Sequence, residues 1–112
     1  MNTEKADRQS QLIVSYLFTQ AFAQSRDVRS QAYKDGVIAA LSKYVLGTNV
    51  YCRFDAGTPE NDAFFAGTTE GYWIGEHYSA GEIAIPDENE LPRKIVQLRG
   101  KMKMQEDAQR SR

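Results

Sequence analysis

The chain has 112 residues, of which 41% are hydrophobic and 26% charged, and a formal net charge of -1. This composition excludes fibrous and disordered chains, and the length supports one hydrophobic core without a disulfide or a metal. The sequence therefore predicts a single domain over 1–112, with flexible ends at 1–9 and 109–112. No apolar run approaches the roughly 20 residues that cross a bilayer, and the amino terminus is a poor secretory signal. We expect a cytoplasmic protein without membrane contact.

Two amphipathic helices are predicted in the first half of the chain. Apolar residues at steps of four predict the first helix over about 9–24. They are Ile13, Leu17 and Ala21 on one ridge, and Val14, Phe18 and Phe22 on the next. A second helix is predicted over about 27–46, because Ser25 can cap its start and Gly47 follows its last apolar residue.

Two more helices are predicted in the second half. Thr58 followed by Pro59 favours a helix start, which predicts a third helix over about 59–79. A fourth is predicted over about 91–108, with apolar residues at helical spacing and Gly100 in its middle. The alternating residues of 50–54 leave room for one short β-hairpin with 82–86.

The second and third helices both carry small residues at every fourth position. Such ridges let two helix backbones approach closely. The ridges are Ala32, Gly36 and Ala40 in the second helix, and Ala63, Gly67, Gly71 and Gly75 in the third. The predicted fold is thus a mostly α, small bundle of about four helices, built on a close-packed helical hairpin (27–46 with 59–79).

Negative charge is concentrated between Phe54 and Leu91, where nine acidic residues occur without a lysine or arginine. The third helix also carries more aromatic residues than a small core needs, and exposed aromatic residues often anchor protein partners. The predicted contact consists of Glu70, Tyr72, Trp73, Glu76 and Tyr78. The simpler alternatives are a solvated acidic face and aromatic rings that all belong to the core.

The segment from Pro92 onward has the opposite charge, with seven basic and two acidic residues. Such a segment can lie along phosphates or along an acidic surface. The candidate phosphate contacts are Lys94, Arg99, Lys101 and Lys103. Alternatively, the segment covers the acidic residues of its own chain or of a neighbouring copy, which makes a homodimer one option.

No catalytic motif is present in the sequence. It has no GxSxG, Walker, HExxH or CxxC pattern, and its single cysteine, Cys52, and single histidine, His77, form a poor metal site. We therefore expect a protein that is not an enzyme, with no catalytic residue, no metal and no cofactor. Whether Cys52 and His77 meet depends on the fold.

Three pieces of residues 33–71 resemble a known family. They are Tyr33, Gly36 and Ala39, then "YCRF" at 51–54, then "FFAGTTEG" at 64–71. Their order is similar to that of the ribosome modulation factor and its phage and prophage relatives. The resemblance implies a helical hairpin, an origin among small accessory proteins of bacteria or phages, and association with ribosomal RNA.

Two functional hypotheses follow. In the first, an acidic and aromatic helix binds a host protein, because a groove that attracts phosphates also attracts carboxylates. Inhibition of a host nucleic-acid-handling or defence protein is a natural use of such mimicry. In the second, the basic carboxyl-terminal segment binds RNA or a ribonucleoprotein such as the ribosome.

Overall fold

Four α-helices form the secondary structure of residues 3–110, which are the residues that the computed structural model describes; side chains are described over 7–109. In chain order the helices are α1 (Thr3–Phe22), α2 (Gln31–Leu46), α3 (Pro59–Ser79) and α4 (Leu91–Arg110). The predicted mostly α fold of about four helices is confirmed. Residues 1, 2, 111 and 112, which belong to the ends predicted to be flexible, lie outside the described residues.

Local capping explains where α2 and α3 begin. The Thr58 hydroxyl accepts a hydrogen bond from the Asn61 backbone N–H at 3.2 Å, so α3 starts at Pro59 as predicted. The prediction for α2 was wrong at its start. Ser30, not Ser25, is the cap, and its hydroxyl accepts from the Tyr33 backbone N–H at 3.2 Å. Gly47 ends α2 in the left-handed conformation at φ 76, which is the predicted stop.

Contacts divide the chain into two compact units. The central unit is Arg29–Ala84, which contains α2 and α3, and the terminal unit is formed by the segments on either side of it. The assignment of the whole chain to one domain stays a prediction.

The terminal unit is built on α1 and α4, which pack on each other. α1 begins six residues earlier than predicted, since the charged residues before the apolar stripe are themselves good helix formers. The most buried apolar side chains are Leu17 of α1 and Leu91 and Ile95 of α4. The side-chain amide of Gln105 donates to the Ala23 carbonyl at 2.5 Å, which satisfies an acceptor that the end of α1 leaves free.

In the central unit, α2 and α3 form the predicted close-packed pair, but they run in the same direction. Gly67 lies against Tyr33, Gly71 against Ala40, and Gly75 against Tyr44, so residue numbers rise together along both helices. A hairpin would have the two helices antiparallel, and this part of the prediction is corrected. The connection, residues 47–58, returns along α2, whose 16 residues span about 24 Å. Twelve extended residues reach about 40 Å, which is enough to return from the end of α2 to the level of its start.

No β-strand forms within residues 3–110, so the optional hairpin of 50–54 with 82–86 is absent. Local side chains bind the first of these segments instead. The Asn61 amide donates to the Phe54 carbonyl at 3.3 Å, and the Arg53 guanidinium pairs with the Asp35 carboxylate at 3.3 Å. These contacts hold the connection against the starts of α2 and α3, so residues 50–54 do not pair with 82–86 in a β-ladder.

Candidate binding surface on helix α3

The glycines of the crossing fix which face of α3 points outward. A Cβ atom at Gly36 would overlap the backbone carbonyl of Phe64, and one at Gly67 would overlap that of Tyr33. Because Gly67, Gly71 and Gly75 face α2 without a side chain, the two backbones are in direct contact. The opposite side of α3 therefore carries the surface that a partner can reach.

Two tyrosines of α2 bind carboxylates of α3 beside the crossing. The Tyr33 hydroxyl donates to Glu70 at 2.5 Å, and the Tyr44 hydroxyl donates to Glu76 at 3.4 Å. The Tyr44 ring also meets the edge of the Tyr72 ring, with centroids 6.1 Å apart. These contacts hold Glu70, Tyr72 and Glu76 beside α2, and of the three only Glu76 is exposed.

The outward side of α3 combines apolar and acidic side chains. Trp73 is 63% exposed and Phe65 49% exposed, and Trp73 lies beside the His77 ring at a centroid distance of 4.4 Å. At 100° per residue these aromatic residues share one side of the helix with exposed small and acidic residues. We define the α3 outer face as Asp62, Phe65, Ala66, Thr69, Trp73 and Glu76.

The structure separates the five residues predicted as the contact. Trp73 and Glu76 are exposed on the α3 outer face, while Glu70 and Tyr72 are half-buried on its flanks and Tyr78 is half-buried near the helix end. The prediction did not include Asp62 and Phe65, which do lie on this face. Helical periodicity alone could have placed them on this face, because both lie on the side of α3 opposite to the glycines.

Comparisons with known proteins give no further guide to this surface. No family model matches the chain. No curated protein and no solved structure gives a significant match. What the protein can bind must therefore be inferred from its own side chains.

The structure places Cys52 and His77 far apart. Cys52 accepts a hydrogen bond from the Asn61 amide at 3.4 Å, whereas His77 pairs with Glu82 at 3.3 Å. Asn61 and His77 are sixteen residues apart on one helix, or about 24 Å, so the cysteine and histidine do not meet. Within the part of the chain that the structure describes, no group of three or more histidine, cysteine or acidic residues could hold a metal ion.

An open cavity of the central unit lies between the first turns of α2 and α3. It has a volume of about 480 Å³, and its lining is mainly apolar, with Ala32, Phe54 and Ala63 among the lining residues. Arg53 lines it too, but its guanidinium is paired with Asp35. Ser30, Gln31 and Glu60 complete the polar part of the lining.

The surroundings of Tyr44 shift the pKa of its phenol. Partial loss of water around the phenol raises the pKa of Tyr44 above its ordinary value of 10.0, and the Glu76 carboxylate raises it further by charge repulsion and by accepting its hydrogen bond. The neutral, donating form of Tyr44 is thus the one that the folded helix pair favours.

The alternative site lies on α4. All four predicted phosphate contacts, Lys94, Arg99, Lys101 and Lys103, are exposed. Among helices α1 to α4, none combines the length and apolar character that crossing a membrane requires.

An exposed apolar ridge runs between these basic residues. Val96 is 66% exposed and Met104 is 73% exposed, with Gly100 midway between them. Arg99 and Lys103 flank this ridge on one side, and Lys94 and Lys101 on the other. We define the α4 outer face as Val96, Gly100 and Met104 with these four flanking basic residues.

Proposed function

We propose that this chain is a small, non-enzymatic accessory protein of bacterial or phage origin that acts in the cytoplasm by binding a host protein. The contact is the α3 outer face. The observation that carries this proposal is the exposure of Trp73 and Phe65 on a helix whose other side is locked against α2. A helix that is already held in place presents such side chains without a backbone-ordering cost on binding.

The chemistry of the α3 outer face favours a basic partner surface. Tryptophan is the residue most enriched in binding hot spots, and here Glu76 and Asp62 stand beside the aromatic pair. Carboxylates around an apolar anchor complement a groove that is lined with lysine and arginine. A host protein that handles nucleic acid has such a groove, so inhibition of a nucleic-acid-handling or defence protein is the use that we propose.

Capture of partners from bacterial lysate tests this proposal. The tagged chain is incubated with nuclease-treated lysate, and the bound proteins are quantified by mass spectrometry. We expect a specific protein that Trp73→Ala and Glu76→Lys each reduce by about tenfold or more. Tyr51→Ala is the matched control, because Tyr51 is 79% exposed but lies in the 47–58 connection, outside α3.

The outcome that contradicts the proposal is a set of captured proteins that is the same for the parent chain and for Trp73→Ala. Equal losses with Trp73→Ala and Tyr51→Ala would also contradict it, since the α3 outer face would then have no special role.

RNA or ribosome binding through α4 is the second candidate. Four exposed basic side chains along one helix support it, and it agrees with the resemblance of residues 33–71 to the ribosome modulation factor family. Lys101→Gln with Lys103→Gln should then weaken RNA binding and reduce the slope of log affinity against log salt by about one for each phosphate that is no longer neutralised. Lys43→Gln, an equivalent change at an exposed residue of α2, is the control. An unchanged slope would contradict this candidate.

A further inference from the structure

Gly100 is the one glycine in the described helices that the chain itself does not explain. The glycines of α2 and α3 have α2 or α3 atoms where a side chain would be, and Gly47, Gly57 and Gly81 have positive φ. At Gly100 φ is not positive, and a Cβ atom would meet nothing within 4 Å. A glycine in this position weakens α4 relative to alanine without any compensating contact.

The neighbours of Gly100 indicate what the gap could accept. Val96 and Met104 lie one turn before and one turn after it, and both are more than half exposed. A small residue between two larger apolar ones is a shallow notch into which the ridge of another helix can pack. Since Arg99, Lys101 and the other basic residues flank this notch, the helix that fills it should carry acidic residues.

The α3 outer face has these properties. Phe65, Thr69 and Trp73 follow one another at the same four-residue spacing as the α4 ridge, with the medium-sized Thr69 in the middle. Asp62 and Glu76 are exposed beside them. Its apolar spacing matches that of α4, and its charge is opposite.

We propose that the α3 outer face of one copy of this chain docks on the α4 outer face of a second copy. Thr69 lies over Gly100, where the absence of a side chain permits close approach, and the two aromatic residues pack beside Val96 and Met104. The inference goes beyond the proposed function, because the same α3 side chains would be covered in the assembly. Self-association and partner binding therefore exclude each other.

Sedimentation velocity over a wide range of protein concentration tests the proposal. We expect the parent chain to self-associate reversibly, and more weakly at high salt, since opposite charges flank the contact. Gly100→Ala should weaken self-association by about tenfold. The same change should raise the midpoint of thermal unfolding by about 4 °C, because alanine favours the helix and its methyl group meets nothing in the chain. Loss of folding thus cannot imitate the expected result.

A charge exchange provides a second, independent readout. Antiparallel docking with Thr69 over Gly100 brings Glu76, seven residues after Thr69, beside Lys94, six residues before Gly100. Glu76→Lys and Lys94→Glu should each weaken self-association by about tenfold, and the chain that carries both changes should recover most of it. Recovery would show that residues of α3 and α4 meet between copies.

Three results would overturn the proposal. The first is a parent chain that stays monomeric at every concentration. The second is Gly100→Ala self-associating as strongly as the parent chain. The third is that Gly100→Ala leaves sedimentation unchanged and weakens binding to a single-stranded RNA oligonucleotide, which would make nucleic acid the occupant of the α4 ridge.

Discussion

Replacement of Gly67 by alanine tests the helix crossing on which the α3 outer face depends. The new methyl group would overlap the backbone carbonyl of Tyr33, which cannot rotate away as a flexible side chain can. The two helices must therefore separate along their whole contact, and Phe64 and Val37, which are 3% and 0% exposed, lose packing.

The net effect combines two terms of opposite sign. Alanine favours the helix by about 1 kcal/mol relative to glycine, while overpacking costs about 1–3 kcal/mol and occasionally more. Because the obstacle is backbone, we take the upper part of that range, and Gly67→Ala should lower the free energy of unfolding by about 2 kcal/mol. Gly100→Ala, the same chemical change in open space, should raise it by about 1 kcal/mol.

Urea unfolding followed by circular dichroism at the helix band measures both variants. Gly75→Ala should fall between them, because its methyl group would meet Cβ, Cγ and Cδ2 of the Tyr44 side chain rather than backbone. If Gly67→Ala stabilised the protein as Gly100→Ala does, the close crossing of α2 and α3 would be wrong.

Three other predictions concern contacts within the central unit. Tyr33→Phe removes a hydroxyl that donates to Glu70 at 2.5 Å, and should lower the free energy of unfolding by about 1.5 kcal/mol in urea titrations; no loss would show that this hydrogen bond contributes nothing. Because the pKa of Tyr44 is raised in the folded state, its contribution to stability is complete below pH 10.0 and is lost as the pH rises through the folded-state pKa. Above pH 10.0 the midpoint temperature of thermal unfolding should therefore fall more steeply with pH for the parent chain than for Tyr44→Phe. Parallel curves for the two chains would contradict the assigned cause of the pKa shift. Ser30→Ala and Thr58→Ala each remove a helix cap and should each lower the free energy of unfolding by about 1 kcal/mol. Ser30→Asp should retain most of the stability, because aspartate is also a good cap. If calorimetry found Ser30→Asp as unstable as Ser30→Ala, capping would be excluded as the reason.

Much of the helical architecture could be predicted from local signals. Thr58 and Pro59 mark the start of α3 without help from the rest of the chain, and Gly47 marks the end of α2 in the same way. The small residues at four-residue spacing identified the helices that pack closely, because few other reasons exist for repeated glycines in a helix.

The direction of the helix pair could not be predicted in this way. Ridges of small residues fit together whether the helices run parallel or antiparallel, and a connection of twelve residues permits either. The choice depends on contacts across the fold, such as Arg53 with Asp35 and Asn61 with the Phe54 carbonyl. Neither pair shows a pattern in the sequence.

The composition of the α3 outer face could be predicted only in part. Trp73 and Glu76 lie opposite the glycines, so helical periodicity places them outward. Glu70 was assigned to the surface because it is acidic, but its partner Tyr33 lies 37 residues away in sequence. Only the packed structure shows that this carboxylate helps to hold the two helices together.

The parallel arrangement of α2 and α3 has a consequence for how the central unit folds. In an antiparallel pair, the contacts next to the turn close a short loop and the others follow one after another. Here the hydrogen bond of Tyr33 closes 37 residues and that of Tyr44 closes 32, so both ends of the pair close loops of nearly the same length. Since closure entropy rises only by about 0.6 kcal/mol for each doubling of loop length, neither end offers a favoured first contact. We expect this pair to form more slowly than an antiparallel pair of the same helices, and to tolerate insertions at the exposed Gly57 of the connection with little change in rate.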